Sequence, residues 1–318
     1  MNAIFFENRN LGKYRLLTVR DEASGESFTI IPDYGANVQE LVLEKDGRLF
    51  SVLDGYQTEA DVDANDWSKG NRLIPFPNRI RDGVYTFEGK TYQLPLNEPA
   101  RHNAIHGFIF KRPFFVERQM LTDDGPAVAL SYAYPGDYPG YPFPFEVKLT
   151  YTLKKNHAFE VEVWVKNTGN SPMPFGDGWH PYFRLKSPIE QLELKIPSTQ
   201  MLELDEQMIP TGNVHTFAQF ADLNPVNGTV LDTVYRLEGK PGVATAELRD
   251  PAEKVTLRVW QETGPGKYNF MVAFTPPQRE SVAIEPMTCS TNAFNSGDGL
   301  LVLGPGEIFQ ARHGVQLV

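Results

Sequence analysis

Strict alternation of apolar and polar residues is the feature that most constrains the fold of this chain. From Phe145 to Leu153 every second residue is apolar, and after the turn at residues 154–156 the pattern resumes from Phe159 to Val165. A period of two places alternate side chains on opposite faces of a strand. The segment is therefore predicted to form a β-hairpin with one buried face.

Shorter runs of the same kind recur along the chain, separated by turns rich in glycine and proline. The 318 residues contain 26 Gly and 25 Pro, spread throughout, which favours many short elements. Only Thr58–Trp67 is predicted to be helical, with Thr58 as its N-cap. No internal repeat or change of composition marks a boundary, so the expected fold is all-β, a large antiparallel β-sandwich formed by residues 1–318 as one domain. The further predicted strands are Tyr85–Phe87, Tyr92–Leu94, Leu192–Ile196, Val255–Trp260, Phe270–Phe274 and Ile308–Val318.

Charge and composition exclude several classes of protein. Acidic residues exceed basic ones by 40 to 30, a net charge of −10, which argues against a nucleic-acid partner that needs a broad basic face. No stretch is long and apolar enough to span a membrane, and the N-terminus lacks the pattern of a secretory signal. With Cys289 as the single cysteine, neither a disulfide nor a thiolate metal site is expected. The predicted location is the cytoplasm.

Catalytic or ligand-binding residues are expected in four segments that interrupt the alternation. Asn71–Gly83 carries two Asn-Arg pairs around a Pro-Phe-Pro turn, either as a solvated surface loop or as a site for hydroxyl or carboxylate groups. Arg101–Phe108 holds His102 and His106 four residues apart. Because glycine and prolines in and around it indicate a loop, His106 is predicted to be a neutral hydrogen-bond donor and no metal site is expected.

Each of the other two segments contains one ionisable residue of interest, a histidine in the first and a glutamate in the second. In Phe175–Leu185, His180 lies among aromatic residues with Asp177 three positions earlier, and either a catalytic acid or a structural histidine fits this pattern. In Ser281–Asn295, Glu285 ends an apolar run, so its carboxylate is expected at the rim of a concave sheet or in solvent. Cys289 is expected to be a small buried group. No nucleotide-binding or serine-hydrolase motif is present in the sequence.

Four ordered elements resemble the aldose 1-epimerase (galactose mutarotase) family: NRI at Asn78–Ile80, IHG at Ile105–Gly107, HPYF at His180–Phe183, and Glu285 at a strand end before a polar loop. Leu303–Leu317 is also similar to the closing strands of that family. The resemblance implies a galactose mutarotase-like supersandwich with an open sugar-binding cleft. It further implies a monomer or homodimer that binds a small sugar and needs no cofactor.

The same resemblance implies roles for individual residues. Ring opening of a sugar needs an acid at the ring oxygen and a base at the C1 hydroxyl, each able to reverse its role. By analogy His180 is the general acid and Glu285 the general base. The further residues expected to bind substrate are Arg79 and His106 at the ring oxygen and neighbouring hydroxyls, with Asn78 and Asp232 around them. Trp179 is expected either to stack on a sugar face or to pack within the protein. Arg184 is expected either to contact an anionic group of the substrate or to point to solvent or pair with a nearby acid.

The chain departs from the common family pattern at two of these motifs. Phe108 follows Gly107 where a second glycine is usual, and Arg184 follows Phe183 where asparagine is usual. The added cations Arg184 and Lys186 raise the alternative of an anionic sugar, such as a hexose phosphate or a sulfonated hexose. A non-catalytic carbohydrate-binding protein is the third alternative.

Overall fold

Short antiparallel strands form most of the chain in the computed structural model, which describes residues 4–318. In chain order these strands are β1 (Ile4–Leu11), β2 (Tyr14–Asp21), β3 (Ser27–Ile31), β4 (Asn37–Lys45), β5 (Arg48–Ser51), β6 (Arg79–Arg81), β7 (Val84–Phe87), β8 (Lys90–Gln93), β9 (Asn103–Ile105), β10 (Phe115–Leu121), β11 (Pro126–Tyr134), β12 (Phe145–Lys154), β13 (Ala158–Asn167), β14 (Met173–Phe175), β15 (Tyr182–Phe183), β16 (Glu193–Lys195), β17 (Gln200–Leu204), β18 (Pro210–Thr216), β19 (Asn224–Pro225), β20 (Asp232–Arg236), β21 (Gly242–Asp250), β22 (Val255–Thr263), β23 (Phe270–Phe274), β24 (Val282–Met287), β25 (Leu301–Leu303) and β26 (Ile308–Leu317). The helices are α1 (Glu59–Ala64) and α2 (Ala293–Ser296), with 3-10 turns at Ile109–Lys111 and Ile189–Gln191.

Three sheets carry most of the strands. One sheet has nine strands in the order β10-β11-β12-β13-β26-β22-β21-β16-β19, another has six in the order β15-β24-β23-β20-β17-β18, and the third runs β1 to β5 in sequence. The remaining pairs are β14 with β25, β6 with β9, and β7 with β8. The chain is thus an antiparallel, all-β sandwich, as the alternation predicts.

The predicted hairpin is confirmed as β12 and β13. Phe145, Val147 and Leu149 are fully buried, and the residues between them are partly exposed. Burying one such side chain contributes about 1.5–3 kcal/mol. Aromatic rings then join the sheets: Phe159 of β13 lies 5.1 Å from Phe28 of β3, between ring centroids. The hydrophobic core therefore lies between the nine-stranded sheet and the other two.

The single predicted helix is confirmed, although it is shorter than expected. The side chain of Thr58 accepts a hydrogen bond from the backbone of Asp61, whose carboxylate accepts one from the backbone of Thr58. The helix ends after Ala64 because Asn65 adopts the left-handed conformation, with φ of 51°. Trp67, at the end of the predicted segment, therefore lies in a loop. Among residues 4–318, no helix has the length and apolar character needed to cross a membrane.

Cys289 follows β24 and is buried, as expected for a small apolar group. Its side chain is 1% exposed, and burial raises the pKa of its thiol to about 12. A thiol with so high a pKa is almost entirely protonated at neutral pH, and the thiolate is the reactive form. Cys289 is therefore a packing residue.

Candidate active site

The register of the six-stranded sheet brings residues from distant parts of the chain onto one face. Tyr182 of β15 lies opposite Ala283 of β24, Ala283 lies opposite Phe274 of β23, and Phe274 lies opposite Asp232 of β20. Residues directly opposite each other in an antiparallel sheet project from the same face. These four residues therefore form one row on the same face of the sheet, and Tyr182, Phe274 and Asp232 of this row line a cleft.

His180 and Glu285 stand in the neighbouring row. Glu285 is two residues beyond Ala283 and opposite Val272, while His180 is two residues before Tyr182, so both project from the same face as the first row. The Nε2 atom of His180 is 3.4 Å from Oε1 of Glu285. Their exposed fractions are 6% and 2%. The sheet thus brings together the two residues that the family resemblance predicts to be the acid and the base.

A cavity of about 700 Å³ opens above this face. It contains most of the sequence-predicted site residues: Asn78, Arg79, His106, His180, Asp232 and Glu285. The remaining residues that line it are Asn65, Asp66, Trp67, Ser68, Asn97, Glu98, Arg101, Ile105, Phe110, Tyr182, Val230, Leu231, Val272, Phe274, Thr275, Pro276, Pro277 and Arg279. The volume falls within the range of roughly 300–1,000 Å³ that is usual for small-molecule sites.

Burial shifts the proton affinities of His180 and Glu285 in opposite directions. It lowers the pKa of His180 to about 3, and the positive charge of Arg79 acts in the same direction. Burial also raises the pKa of Glu285 well above its usual range, and the negative charge of Asp232 raises it further, against the effect of Arg79. Both shifts favour the uncharged form. The cleft therefore favours the uncharged distribution of the pair, with the proton on Glu285 and not on His180.

Arg79 and Asn78 enter the cleft from β6, which pairs with β9. The guanidinium of Arg79 donates two parallel hydrogen bonds of 2.9 Å, from Nε and Nη2, to the carboxylate of Glu98. Its Nη1 donates to Oδ1 of Asn78 over 3.3 Å. A bidentate pair of this kind fixes the plane of the guanidinium. Arg79 is thus held rigidly at the wall of the cleft.

His106 lies beside this wall, and its surroundings define its tautomer. The backbone N–H of Asn78 donates to Nδ1 of His106 over 3.3 Å, and burial lowers the pKa of His106 well below its usual range. The neutral ring therefore carries its proton on Nε2 and can donate it. Gly107 has φ of 65°, and a Cβ there would lie 2.2 Å from the carbonyl oxygen of Ile74. Glycine is therefore needed at this turn.

The two histidines of the Arg101–Phe108 segment face different surroundings. His102 is exposed and its Nδ1 lies 2.8 Å from Oδ1 of Asp82, whereas His106 lines the cleft. The segment forms β9 and a turn, in agreement with the prediction that it is not helical. Among the described residues, no group of three or more His, Cys, Asp or Glu side chains is arranged to hold a metal ion. Phe108 stacks on Tyr138 at 4.1 Å between ring centroids and does not line the cleft.

Asp232 begins β20 and lines the cleft next to Glu285. Burial raises the pKa of its carboxyl group, while the positive charges of Arg79 and Arg101 oppose that shift. A carboxylate at this place accepts hydrogen bonds from hydroxyl groups in the cleft.

Trp179 and Arg184 do not line the cleft, so neither is placed to bind a sugar there, and the alternatives of packing and of pairing with acids apply to them. Trp179 is fully buried on the opposite face of its segment and stacks on His313 at 5.2 Å between ring centroids. Arg184 lies beyond the end of β15, where its Nη1 is 3.7 Å from a carboxylate oxygen of Asp54 and 4.0 Å from one of Glu280. Trp179 has a packing role, and Arg184 forms surface ion pairs.

Behind the His180 segment lies a buried charge network. Nη2 of Arg72 donates hydrogen bonds of 2.5 Å to both carboxylate oxygens of Asp177, and both side chains are fully buried. The hydroxyl of Tyr268 donates to Asp177 over 2.5 Å, and Nη1 of Arg72 lies 2.6 Å from Nε2 of His313. Asp177 therefore pairs with an arginine in the core, and it does not contact His180 to orient it.

Sequence reasoning missed Trp67, Phe274, Glu98 and Arg101 as lining residues. Two of them carried a signal, since Arg101 opens a segment in which chemistry is expected and Phe274 is the last residue of a predicted strand. Trp67 and Glu98 lie in loops whose course depends on contacts with distant strands. No local pattern marks these two as site residues.

Comparisons with known proteins show what the chain as a whole is similar to. The family model described as Aldose 1-epimerase matches residues 16–316. The chain is 31% identical to the uncharacterised protein YihR of Escherichia coli over 245 residues, 75% of each chain. It is 30% identical to the galactose mutarotase of Sus scrofa over 64% of this chain and 56% of that protein, and 25% identical to the aldose 1-epimerase of Streptococcus thermophilus over 89% and 88%.

Solved structures show the same fold. A galactose mutarotase-like protein from Clostridium acetobutylicum superimposes with a TM-score of 0.85 over 100% of this chain and 98% of its own, at 21% identity. The galactose 1-epimerase of Lactobacillus acidophilus superimposes with a TM-score of 0.80 over 100% and 99%, at 18% identity. At these identities the likeness concerns the fold alone.

Proposed function

Because this chain belongs to the aldose 1-epimerase family, whose members are isomerases of carbohydrates, we propose that it interconverts the α and β anomers of a free hexose. The observation that carries this proposal is the contact of 3.4 Å between His180 Nε2 and Glu285 Oε1 on the floor of the cleft. This contact supports the proposal, because two groups that can exchange protons are close enough together to act on one anomeric centre.

The reaction moves two protons and then reverses. His180 protonates the ring oxygen while Glu285 accepts the proton of the C1 hydroxyl, so the C1–O5 bond breaks and an aldehyde forms. Rotation about the C1–C2 bond presents the other face of the carbonyl. Glu285 then returns a proton to the carbonyl oxygen as the ring closes, and His180 takes back the proton of the C5 hydroxyl.

Burial of the pair affects the proton transfer that accompanies ring opening. With the ring closed and ready to open, the proton lies on His180 and the pair is charged; after opening, His180 is neutral and Glu285 is protonated. The pKa of His180 is lowered to about 3 and that of Glu285 is raised, so the uncharged distribution is the more stable one in the buried cleft. The buried cleft thereby favours the transfer of the proton from the charged pair to Glu285 that accompanies ring opening.

The other polar residues of the cleft bind the sugar in this proposal. Nε2–H of His106 donates to the ring oxygen or a neighbouring hydroxyl, and Arg79, with Asn78 beside it, stabilises the negative charge that develops as the ring opens. Asp232 accepts a hydrogen bond from a sugar hydroxyl. These roles need no metal or nucleotide.

A neutral hexose is the first candidate substrate, because Arg184 and Lys186 do not line the cleft. Nζ of Lys186 lies 3.6 Å from a carboxylate oxygen of Glu253, and Arg79 is already paired with Glu98. An anionic hexose is the second candidate, favoured by one observation. Arg101 lines the cleft with a side chain that is 42% exposed, and its Nη1 contacts Glu98 over 3.1 Å.

The purified protein is expected to accelerate anomer exchange in at least one free hexose without added metal or nucleotide. Magnetisation-exchange NMR at anomeric equilibrium measures the rate directly, with glucose, galactose and glucose 6-phosphate as substrates and buffer alone as the blank. Rates equal to the blank for all three sugars would contradict catalysis and support the binding-protein alternative. Faster exchange of the phosphate, reduced by Arg101→Gln, would establish the anionic candidate.

The pH profile is expected to lack the inflection of an ordinary histidine. With the pKa of His180 lowered to about 3, a second proton binds the pair only near that pH, and the raised pKa of Glu285 keeps the first proton bound well above the usual carboxylate range. Since kcat/KM reports groups of the free enzyme, its profile should show no histidine inflection between pH 5 and 7 after the blank is subtracted. A loss of activity with a midpoint near the ordinary histidine value of about 6.5 would contradict the shifted pair.

A further inference from the structure

The imidazole ring of His180 lacks the hydrogen bond that usually fixes the plane of a catalytic histidine. Its Nε2 atom faces Glu285, but no other residue in the described range 4–318 makes a hydrogen bond with its buried Nδ1 atom. Catalytic histidines are commonly held by a carboxylate or a backbone carbonyl on the second ring nitrogen. The orientation of the proposed acid must therefore come from contacts of another kind.

The backbone of His180 is anchored on both sides, which leaves only the side-chain torsions free. Its N–H donates to the carbonyl oxygen of Asn71 over 3.1 Å, and its own carbonyl oxygen accepts from the N–H of Gly70 over 2.8 Å. The torsion that turns an imidazole ring about its Cβ–Cγ bond has broad minima. An anchored backbone alone does not direct Nε2 toward Glu285.

Two aromatic rings enclose the imidazole of His180. Tyr182 lies along it, with ring centroids 4.9 Å apart and ring planes 12° from parallel. His106 lies across it, with centroids 5.1 Å apart and planes at 81°. Offset-parallel and perpendicular arrangements at these distances are the favourable ones for pairs of aromatic rings. Because rotation of the imidazole would disturb both contacts, packing defines its plane.

Tyr182 is itself held in place and can therefore support another ring. It lies in β15, which pairs with β24, and its carbonyl oxygen accepts a hydrogen bond of 2.8 Å from the N–H of Asp54. The ring of Phe274 packs across it, with centroids 6.3 Å apart and planes at 89°. Since β24 carries Glu285, Tyr182 supports His180 from the same sheet that positions the proposed base.

The face of a tyrosine ring suits a histidine that gains and loses charge in each cycle. It carries negative electrostatic potential and attracts a cation that lies within about 6 Å of its centroid. A carboxylate on Nδ1 would favour the charged imidazolium much more strongly, because an ion pair in a buried site is little screened. Ring opening requires His180 to release its proton, and ring closure requires it to take the proton back. A stacked phenol orients the imidazole in both states and holds neither of them strongly.

From these contacts we propose that Tyr182 is a positioning residue, whose stacked ring keeps Nε2 of His180 directed at the reacting oxygen of the sugar and at Glu285. This inference rests on the proposed mutarotase function. Tyr182 acts through His180, and its own hydroxyl takes no part in the transfer of protons. Loss of the ring should lower kcat, which depends on the orientation of the acid, much more than it changes KM.

The test uses Tyr182→Leu, which removes the stacked ring, and Tyr182→Phe, which keeps the ring without its hydroxyl. In magnetisation-exchange NMR, kcat should fall about tenfold in Tyr182→Leu, in line with the free energy of one aromatic contact, and KM should stay within about twofold. Tyr182→Phe should retain most of the wild-type kcat. Crystal structures should show the His180 ring rotated or in two conformers in Tyr182→Leu, and in the wild-type orientation in Tyr182→Phe.

Tyr92→Leu is the matched control. Tyr92 stacks on Tyr85 with a similar geometry, at 5.1 Å and 16°, and neither residue lines the cleft. This substitution should change neither kcat nor the orientation of His180. If Tyr182→Leu does not fold, Tyr182→Met takes its place, because the flexible methionine side chain fills irregular gaps in a core.

A folded Tyr182→Leu variant with the wild-type kcat, or with an unmoved His180 ring, would overturn the proposal. An equal loss of kcat in Tyr182→Phe would also overturn it, because the effect would then belong to the hydroxyl. A raised KM with unchanged kcat would mean that Tyr182 binds the sugar and does not position His180. If the wild type exchanges no sugar, the mutarotase function is what fails, and the crystal structures still decide whether Tyr182 holds the ring.

Discussion

Glu285→Gln is expected to lower kcat for anomer exchange by roughly 10²- to 10⁴-fold, the usual contribution of a general acid–base residue. Glutamine has nearly the same size and can still hydrogen-bond, but it cannot take up or release the proton of the C1 hydroxyl. Because burial raises the pKa of Glu285 well above its usual range, the cleft favours the uncharged carboxyl group, and the uncharged amide should fit without loss of stability. Exchange NMR and a urea unfolding curve measure the two quantities on the same sample.

His180→Asn supplies the matched partner for this substitution. It should give a loss of similar size, and the double variant should be little worse than either single one, since residues that pass one proton between them act as a unit. Sugar affinity, measured by calorimetry, should change much less than kcat. Turnover like that of the wild type in either folded variant would refute the assignment of His180 and Glu285 as the acid–base pair.

Asp177→Asn is expected to lower the free energy of unfolding by about 3–5 kcal/mol, the usual cost of removing one partner from a buried ion pair. The substitution preserves the shape of the side chain but leaves the guanidinium of Arg72, which is fully buried, without a negative charge. Urea unfolding followed by tryptophan fluorescence should show a lower midpoint with an unchanged slope.

The control is Glu162→Gln, which removes the partner of Arg312 at the surface. Those side chains are 27% and 47% exposed, and surface pairs contribute only about 0–1 kcal/mol. Equal effects of the two substitutions would mean that burial of the Arg72–Asp177 pair does not determine its contribution. A stable Asp177→Asn variant would also show that the core accommodates the charge of Arg72 by other contacts.

The fold was largely predictable because its main signal is local. Alternation in Phe145–Leu153 and Phe159–Val165 needs only the period of a strand, and the structure has β12 and β13 at these positions. The helix was recognisable from Thr58 and the acids after it. Its end was not, because the left-handed conformation of Asn65 depends on the contacts of the loop that follows.

Which residues line the cleft was predictable only in part, because that depends on the register between strands of the sheet. His180 and Glu285 are 105 residues apart, and the pairing of Tyr182 with Ala283 is what sets them side by side. The same alternation turns Trp179 to the core, although its sequence neighbours suggested a sugar contact. Arg184 follows the end of a strand of only two residues, so its direction is determined by acids at the surface.

The proposed acid–base pair and the loop around Trp67 belong to different parts of the fold, so the sequence of one can change without changing the other. Of the proposed acid–base pair, Glu285 lies in β24 and His180 lies two residues before β15, so a shift of one residue in the register of β24 would turn Glu285 away from the cleft. Trp67 belongs to a loop whose ends are anchored but whose middle is not paired with any strand. Substitutions in that loop can change which sugars fit while the reaction itself is preserved, which makes residues 66–68 the natural target for redirecting this scaffold toward new carbohydrates.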